Sequence, residues 1–421
     1  MPKVTRLLLV NQFTINFGFY LLMPYLAQHL AGTLGLAAWL VGLVLGVRNL
    51  SQQGMFALGG ALADRLGYKP LIVAGCVLRT AGFAMLAVVE SVPALVIASA
   101  ATGFAGALFN PAVRAYLAAD AGDRRVEAFA LFNVFYQAGI LTGPLVGLVL
   151  TGASFRLTCG VAAAVFLALS VVQVRSLPSQ RSERRNESGL LAQWRVVIAN
   201  RSFLLFSTAM ICSYVLSFQI YLTLPLEVRR LRGDEATVGV ALLFAASGLV
   251  TVLAQTRVTA WCRARLDPGR ALALGLLVMA AAFVPLLAST ALPVPAGQVT
   301  LWVAAVLPAL LAAILLAVGT MTAFPFEMDT IVGLANGRLV ATHYGVYNSI
   351  CGLGITAGNL LTGAALDEAR ARGLPALPWF ALITAGVLSA TMLLVLDRRG
   401  HLGRRVTMPS STRAEGKPSG P

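Results

Sequence analysis

The segment 60–70 places Gly60, Asp64, Arg65, Gly67, Lys69 and Pro70 in one tight turn between two apolar stretches. A carboxylate at such a turn can accept backbone N–H groups from the start of a neighbouring helix, where the helix dipole favours negative charge. Arg65 and Lys69 can pair with Asp120, Asp123 or Glu127, and Arg114 is a candidate partner for Asp64 itself. Contacts of this kind are made in one arrangement of a chain and broken in another, so the turn is expected to be a gate. The plain alternative is a turn whose charges serve only topology and whose glycines serve only the bend.

Arg48 and Arg79 fall inside apolar stretches, where a buried charge costs about 2.5–3.5 kcal/mol or more and normally faces a cavity or a partner. Arg48 precedes Asn49, with Gln52 and Gln53 one helical turn on. This polar patch could hold an anionic ligand; alternatively Arg48 is tied to backbone carbonyls, the reading preferred for Arg79. Along one helix Arg48 and Asp64 are separated by roughly 24 Å, so they are not partners. Glu327 and Asp329 follow Pro325, where the second half of the chain repeats Pro111 and Arg114 of the first. They are candidate coupling acids or interhalf ionic contacts, with solvated loop acids as the alternative. Asn16, Tyr20, Asn133, Tyr136, Gln137, Tyr214, Gln219, Tyr221, Asn348 and Asn359 add polar atoms and rings to other apolar stretches. Each is either a hydrogen bonder between helices or a contact in a substrate cavity.

The elements that must position these residues are helices. The 421 residues are 58% hydrophobic and 12% charged, with mean hydropathy +0.80, far too apolar for a soluble domain. Apolar runs near 6–30, 37–60, 70–90, 93–117, 128–150, 156–176, 202–226, 237–257, 270–291, 299–323, 342–366 and 377–396 are each about the 20 residues that a spanning helix takes. Twelve transmembrane helices are expected; a β-barrel is excluded because the runs do not alternate. Placing both termini in the cytoplasm leaves only Arg156, Arg229, Arg230, Arg232, Arg370 and Arg372 outside, and Arg48 and Arg79 within spans, out of 32 Lys and Arg, which satisfies the positive-inside rule. The net charge of +15 therefore reads as topology, not as a nucleic-acid face. No cleavage signature follows the first apolar run, so it is read as the first span and not as a signal peptide. The five scattered cysteines read as small core residues. His29 and His343 near span ends have no metal-ligand company, and no metal or cofactor is expected. The absence of a G-x-x-x-x-G-K loop argues against ATP hydrolysis.

The chain also repeats itself. Phe17, Tyr20, Leu21 and Pro24 recur at one constant offset as Phe218, Tyr221, Leu222 and Pro225; Asn133, Gly139, Ile140 and Gly143 recur as Asn348, Gly354, Ile355 and Gly358. Same-direction repeats imply two pseudo-symmetric six-helix bundles with the path between them. The expected division is 1–176 for the first half, 177–199 for a basic cytoplasmic linker, 200–398 for the second half and 399–421 for a disordered cytoplasmic tail.

On these residues the whole chain resembles the major facilitator superfamily. The turn at 60–70 looks like its motif A, with Gly60, Asp64, Arg65, Gly67, Lys69 and Arg114 as the gate; Gly139, Gly143, Pro144 and Gly147 look like motif C, associated with antiporters. The stretch 41–54, running into motif A and on to Arg79, is similar to multidrug-resistance proteins of the drug:proton antiporter type. Departures are Ser99 where the superfamily's motif B has an arginine, no acid in the first helix, which offers Asn11, Gln12 and Asn16, and Trp261 and Arg265 where the second half would repeat motif A. The glycines recur every fourth residue and invite close helix packing; Pro144 can bend its helix.

The resemblance implies a non-enzymatic secondary transporter that exports amphipathic organic compounds from the cytoplasm by alternating access, with protons as coupling ion. A monomer in the cell membrane is expected, with the lipid bilayer and a small-molecule substrate as its partners. Alternatives are a transporter of a specific small anion or metabolite using Arg48, with other or no ion coupling, and a non-transporting receptor or homologue.

Overall fold

Long apolar stretches that satisfy every backbone polar group internally become helices, and every regular element among the described residues is helical. The computed structural model describes residues 2–36, 38–178, 189–232, 236–291 and 298–402. The first half runs α1 (Lys3–Tyr20), α2 (Met23–Gln28), α3 (Ala38–Gly54), α4 (Phe56–Leu66), α5 (Tyr68–Val88), α6 (Val92–Ala121), α7 (Arg125–Ala153) and α8 (Phe155–Ser176). A short helix, α9 (Leu190–Ala199), leads into the second half. There α10 (Arg201–Phe218), α11 (Thr223–Arg232), α12 (Ala236–Arg265), α13 (Pro268–Ala281), α14 (Val284–Ser289), α15 (Gln298–Ala335), α16 (Val340–Arg372) and α17 (Leu377–Arg398) follow.

Among the described residues, nine helical runs are long and apolar enough to cross a membrane. They differ from the twelve expected for a physical reason. Residues Val92–Ala153 form one 62-residue run that joins two expected spans and reverses at Gly122, whose φ of 51° sits where glycine is at ease. The first two expected spans are not among the nine; they are built from α1 with α2, of 18 and 6 residues, and α3 with α4, of 17 and 11 residues.

The two repeats take the same shape. The chain breaks between α1 and α2 ahead of Pro24 and between α10 and α11 ahead of Pro225, where proline removes a backbone donor. A Cβ at Gly139, Gly143 or Gly147 of α7 would meet the carbonyl oxygens of Phe13 and Phe17 of α1 and of Leu21 just after it at 2.6, 2.9 and 2.1 Å. A Cβ at Gly354 or Gly358 of α16 would meet Ile211 and Val215 of α10 at 2.4 and 2.6 Å. The motif C glycines are therefore a packing face for α1. Tyr25 adds a tie, its hydroxyl donating to the Pro144 carbonyl at 2.5 Å. Gly147→Val is expected to destabilise the folded protein by about 1–3 kcal/mol through overpacking, whereas Gly152→Val, with nothing within 4 Å of its added Cβ, is neutral; thermal unfolding in detergent compares the two.

Residues 179–188 of the expected linker and the tail from 403 lie outside the described residues. The last part of the expected linker is the helix α9, which buries Gln193 and Val197 and whose Trp194 indole N–H donates to the Ala57 carbonyl at 3.1 Å.

Candidate functional site

The turn and its neighbours meet at the end of the bundle that carries the linker. Gly67, with φ 94°, ends α4 and lets the chain double back into α5. Asp64 stands one turn before that end and is 3% exposed. Its Oδ1 accepts the Ala341 N–H at 3.2 Å, and its Oδ2 accepts the Thr342 N–H and hydroxyl, both at 2.7 Å. These donors form the first turn of α16, in the other half. Helix α16 begins after Leu339, an apolar residue that cannot cap its free N–H groups. Asp64 caps it from across the molecule, and the helix dipole favours the carboxylate there. Gly60 makes the approach possible, since a Cβ would lie 2.2 Å from the Ala341 oxygen; Gly345 does the same from α16, 2.3 Å from the Phe56 oxygen.

The other turn charges are placed differently from the sequence expectation. Arg114 does not reach Asp64; its Nη1 donates to Asn348 Oδ1 at 2.9 Å. Lys69 donates to the Val174 carbonyl at 2.8 Å, at the end of α8, and Arg65 is exposed on the last turn of α4. Asp120 is taken by Thr5, whose N–H and hydroxyl donate to it at 2.8 and 2.6 Å, and Glu127 by Arg124 and Arg263. The interhalf ionic contact involves Arg125, not Arg114: Arg125 Nε sits 2.7 Å from Asp329 Oδ1. Arg263 of α12 reaches Glu127 of α7 across the same seam. Farther in, Asn133 donates to Gln255 at 2.7 Å and Ser349 to the Gln53 carbonyl at 3.1 Å. This end of the bundle is closed.

Glu327 is not a solvated loop acid. Helix α15 continues through Pro325 to Ala335, beyond the sequence expectation, so Glu327 lies within the helix, 2% exposed. Its Oε1 accepts the Tyr347 hydroxyl at 2.7 Å and the Tyr214 hydroxyl at 3.0 Å, and the charge of Arg114 acts on it from the first half.

The cavity candidates divide into two groups. Asn16, Asn133, Gln219 and Asn348 are buried and spend their polar atoms within and between helices: Asn16 on the Gln12 carbonyl, Gln219 on Val215 and Asn359, Asn348 on Arg114 and the Tyr344 carbonyl. Tyr20, Arg48, Gln52, Tyr136 and Gln137 are half-buried, and Tyr221 is exposed. Tyr136 and Tyr221, from opposite halves, both stand beside Tyr20, as do Arg48 and Arg79. Arg79 is buried against the rings of Phe19, Phe109 and Phe166, at 4.8, 4.8 and 5.5 Å, with Nη2 donating to the Thr102 carbonyl at 2.9 Å. A separate cleft of about 520 Å³, lined by Tyr25, His29, Glu90 and Arg156 among others, contains none of these residues. Among the described residues no group of three His, Cys, Asp or Glu side chains could hold a metal. The sequence reading did not single out Thr342, Arg125, Arg263, Tyr347 or Phe19; each is ordinary in type and matters only through a partner far away in the chain.

The family profile described as Major Facilitator Superfamily matches residues 8–359. The chain belongs to this superfamily. It is 52% identical over 396 residues to an uncharacterized MFS-type transporter of Mycobacterium tuberculosis strain H37Rv, covering 94% of this chain and 93% of the relative. It is 30% identical over 392 residues to the multidrug resistance protein MdtH of Cronobacter sakazakii, covering 92% of each. Among solved structures, the human organic anion transporter MFSD10 matches with TM-score 0.72 at 17% identity, over 93% of this chain and 100% of that one. A peptide transporter, POT, matches with TM-score 0.67 at 19% identity over 96% of each. The fold is thus that of the superfamily, and the chain is a multi-pass membrane protein of a transporter family.

Proposed function

We propose that this chain is a secondary active transporter of twelve membrane helices, with both termini cytoplasmic, that exports amphipathic organic compounds in exchange for protons. It works in the cell membrane as a monomer, with residues 1–176 and 200–398 as its two rocking halves. The observation that carries this reading is the Asp64 carboxylate of one half capping α16 of the other, a contact that must break whenever those ends part. The positive-inside rule makes the closed end cytoplasmic, so the arrangement faces outward. Gly60, Asp64, Arg125 and Asp329 hold it shut. Glu327 is the coupling acid: its neighbour Arg114 belongs to the half that moves away, so the charge state of the carboxyl and the position of the halves are linked. The drug-export reading draws on the MdtH relatives and on the motif C glycines.

Purified protein in proteoliposomes with an imposed pH gradient tests this. Amphipathic dyes are expected to move only while the gradient stands and to stop when a protonophore collapses it. Movement of no dye under any gradient would overturn the export reading and leave the fold untouched.

A further inference from the structure

We propose that the transported amphipath carries an anionic group, a carboxylate, sulfonate or phosphate, which Arg48 receives, with Arg79 as a second, fixed positive charge behind Phe19. The inference rests on the transporter reading above and names the substrate class of that site.

The two arginines differ in how they are satisfied. Arg79 is anchored to its surroundings: 3% exposed, its Nη2 bonded to a carbonyl of the neighbouring helix and its guanidinium enclosed by three aromatic rings. Gly106 keeps it there, since a Cβ would come within 2.8 Å of its Nη2. Arg48 has no such partners. Its described hydrogen bond goes to Asn49, the next residue along the chain, so none of its described bonds ties the guanidinium to another helix; its Nε, like that of Arg79, is buried with no acceptor. A structural arginine at this depth would be expected to find carbonyls on a neighbouring helix, as Arg79 does.

Charge makes the same point. Both guanidinium groups lie over the single Phe19 ring, at 5.2 and 4.8 Å. Among the described residues, the groups that act on either arginine are Tyr20, Cys76 and the other arginine, and no carboxylate. Two like charges share a low-dielectric pocket and, among the described residues, are met by ring faces, the Thr102 carbonyl and the Asn49 amide oxygen, which are weaker counterparts than an anion. The planar guanidinium of Arg48 suits an oxyanion in the bidentate manner that lysine cannot reproduce. Next to it, Tyr20 and Tyr136 of the first half and Tyr221 of the second form an aromatic wall. This continues through Phe218 and Phe244, at 5.5 and 5.4 Å from Tyr221. An apolar body with one acidic end fits a wall beside a cation, and residues of both halves flank the site.

The test uses pyrenebutyrate and its methyl ester, which differ by one charge, with binding followed by fluorescence on the full chain in zwitterionic nanodiscs. Wild type is expected to bind the acid about tenfold or more tightly than the ester. Arg48→Gln should reduce that preference to about twofold with ester binding unchanged, and Arg48→Lys should restore only part of it. Arg48 is half-buried and its described side-chain bond goes only to its neighbour in the chain, so its variants are expected to fold; ester binding reports that they have. Equal wild-type affinity for acid and ester overturns the proposal, and so does loss of the preference when phosphatidylglycerol is added, which would mean a lipid phosphate occupies the site. In either case gradient-driven movement of neutral or cationic dyes would leave the export reading standing. An Arg48-dependent preference with no gradient-driven movement of any compound would sink the export reading alone.

Discussion

Glu327→Gln is expected to reduce gradient-driven transport by about 100-fold while leaving substrate exchange at equal pH within a few-fold of wild type. The carboxyl is buried between Tyr214 and Tyr347 and held by their hydroxyls. A carboxylate in such surroundings depends on every donor and cation near it, because desolvation must be offset group by group. Arg114 is one of those cations, and its own bond to Asn348 spans the interface that opens. Moving the halves therefore changes the field at Glu327, and by linkage a change of charge on Glu327 biases the halves. Glutamine keeps the shape and an acceptor for the two hydroxyls but cannot exchange a proton, so binding and rocking survive while the coupling is lost. Tyr347→Phe removes one donor and keeps the titrating group, so a loss of only several-fold is expected. Parallel assays of counterflow and of pH-driven accumulation separate the cases; undiminished accumulation by Glu327→Gln would remove Glu327 from the coupling role.

What could be read from the sequence was what depends on local pattern. Apolar length located the helices, and the echo of Phe17 to Pro24 in Phe218 to Pro225 reappears as matching helix breaks. Asp64 was legible as an acceptor for a helix start because a carboxylate at a tight turn has few other uses in a membrane protein. Which helix start it meets was not legible, since Ala341 and Thr342 lie 277 and 278 residues away. The same separation hid the true partner of Arg114, whose charge suggested an acid where the fold supplies an amide. The depth of Glu327 was not legible for a different reason. Pro325 and two acids in close succession look like the end of a span, yet a transmembrane helix can tolerate a proline where neighbours re-satisfy the backbone, and α15 runs ten residues past it. Arg48 and Arg79 looked alike in sequence and were separated only by what surrounds them: the rings around Arg79 come from three helices, α1, α6 and α8.

Asp64→Asn is expected to open the end of the bundle that Asp64 closes. The carboxylate accepts two backbone N–H groups and one hydroxyl; an amide offers one oxygen and turns its NH₂ towards donors that need an acceptor. Losing one or two charge-assisted bonds at a buried site amounts to about 3 kcal/mol, roughly a 100-fold change in the ratio of closed to open. The remaining ties are weaker. The Arg125–Asp329 pair is partly exposed, at 33% and 26%, and such pairs contribute about 1 kcal/mol or less. Spin labels at Leu66→Cys and Arg338→Cys, both exposed positions at that end, report the opening by distance in a Cys212→Ser background, the other native cysteines being buried. Wild type should give one short distance band and Asp64→Asn a second, longer one. Gly60→Val should reproduce the longer band with the carboxylate intact, because its side chain collides with the Ala341 carbonyl only when the ends are closed. If Gly60→Val lengthens the distance and Asp64→Asn does not, close packing alone holds the end shut, and the carboxylate has another task.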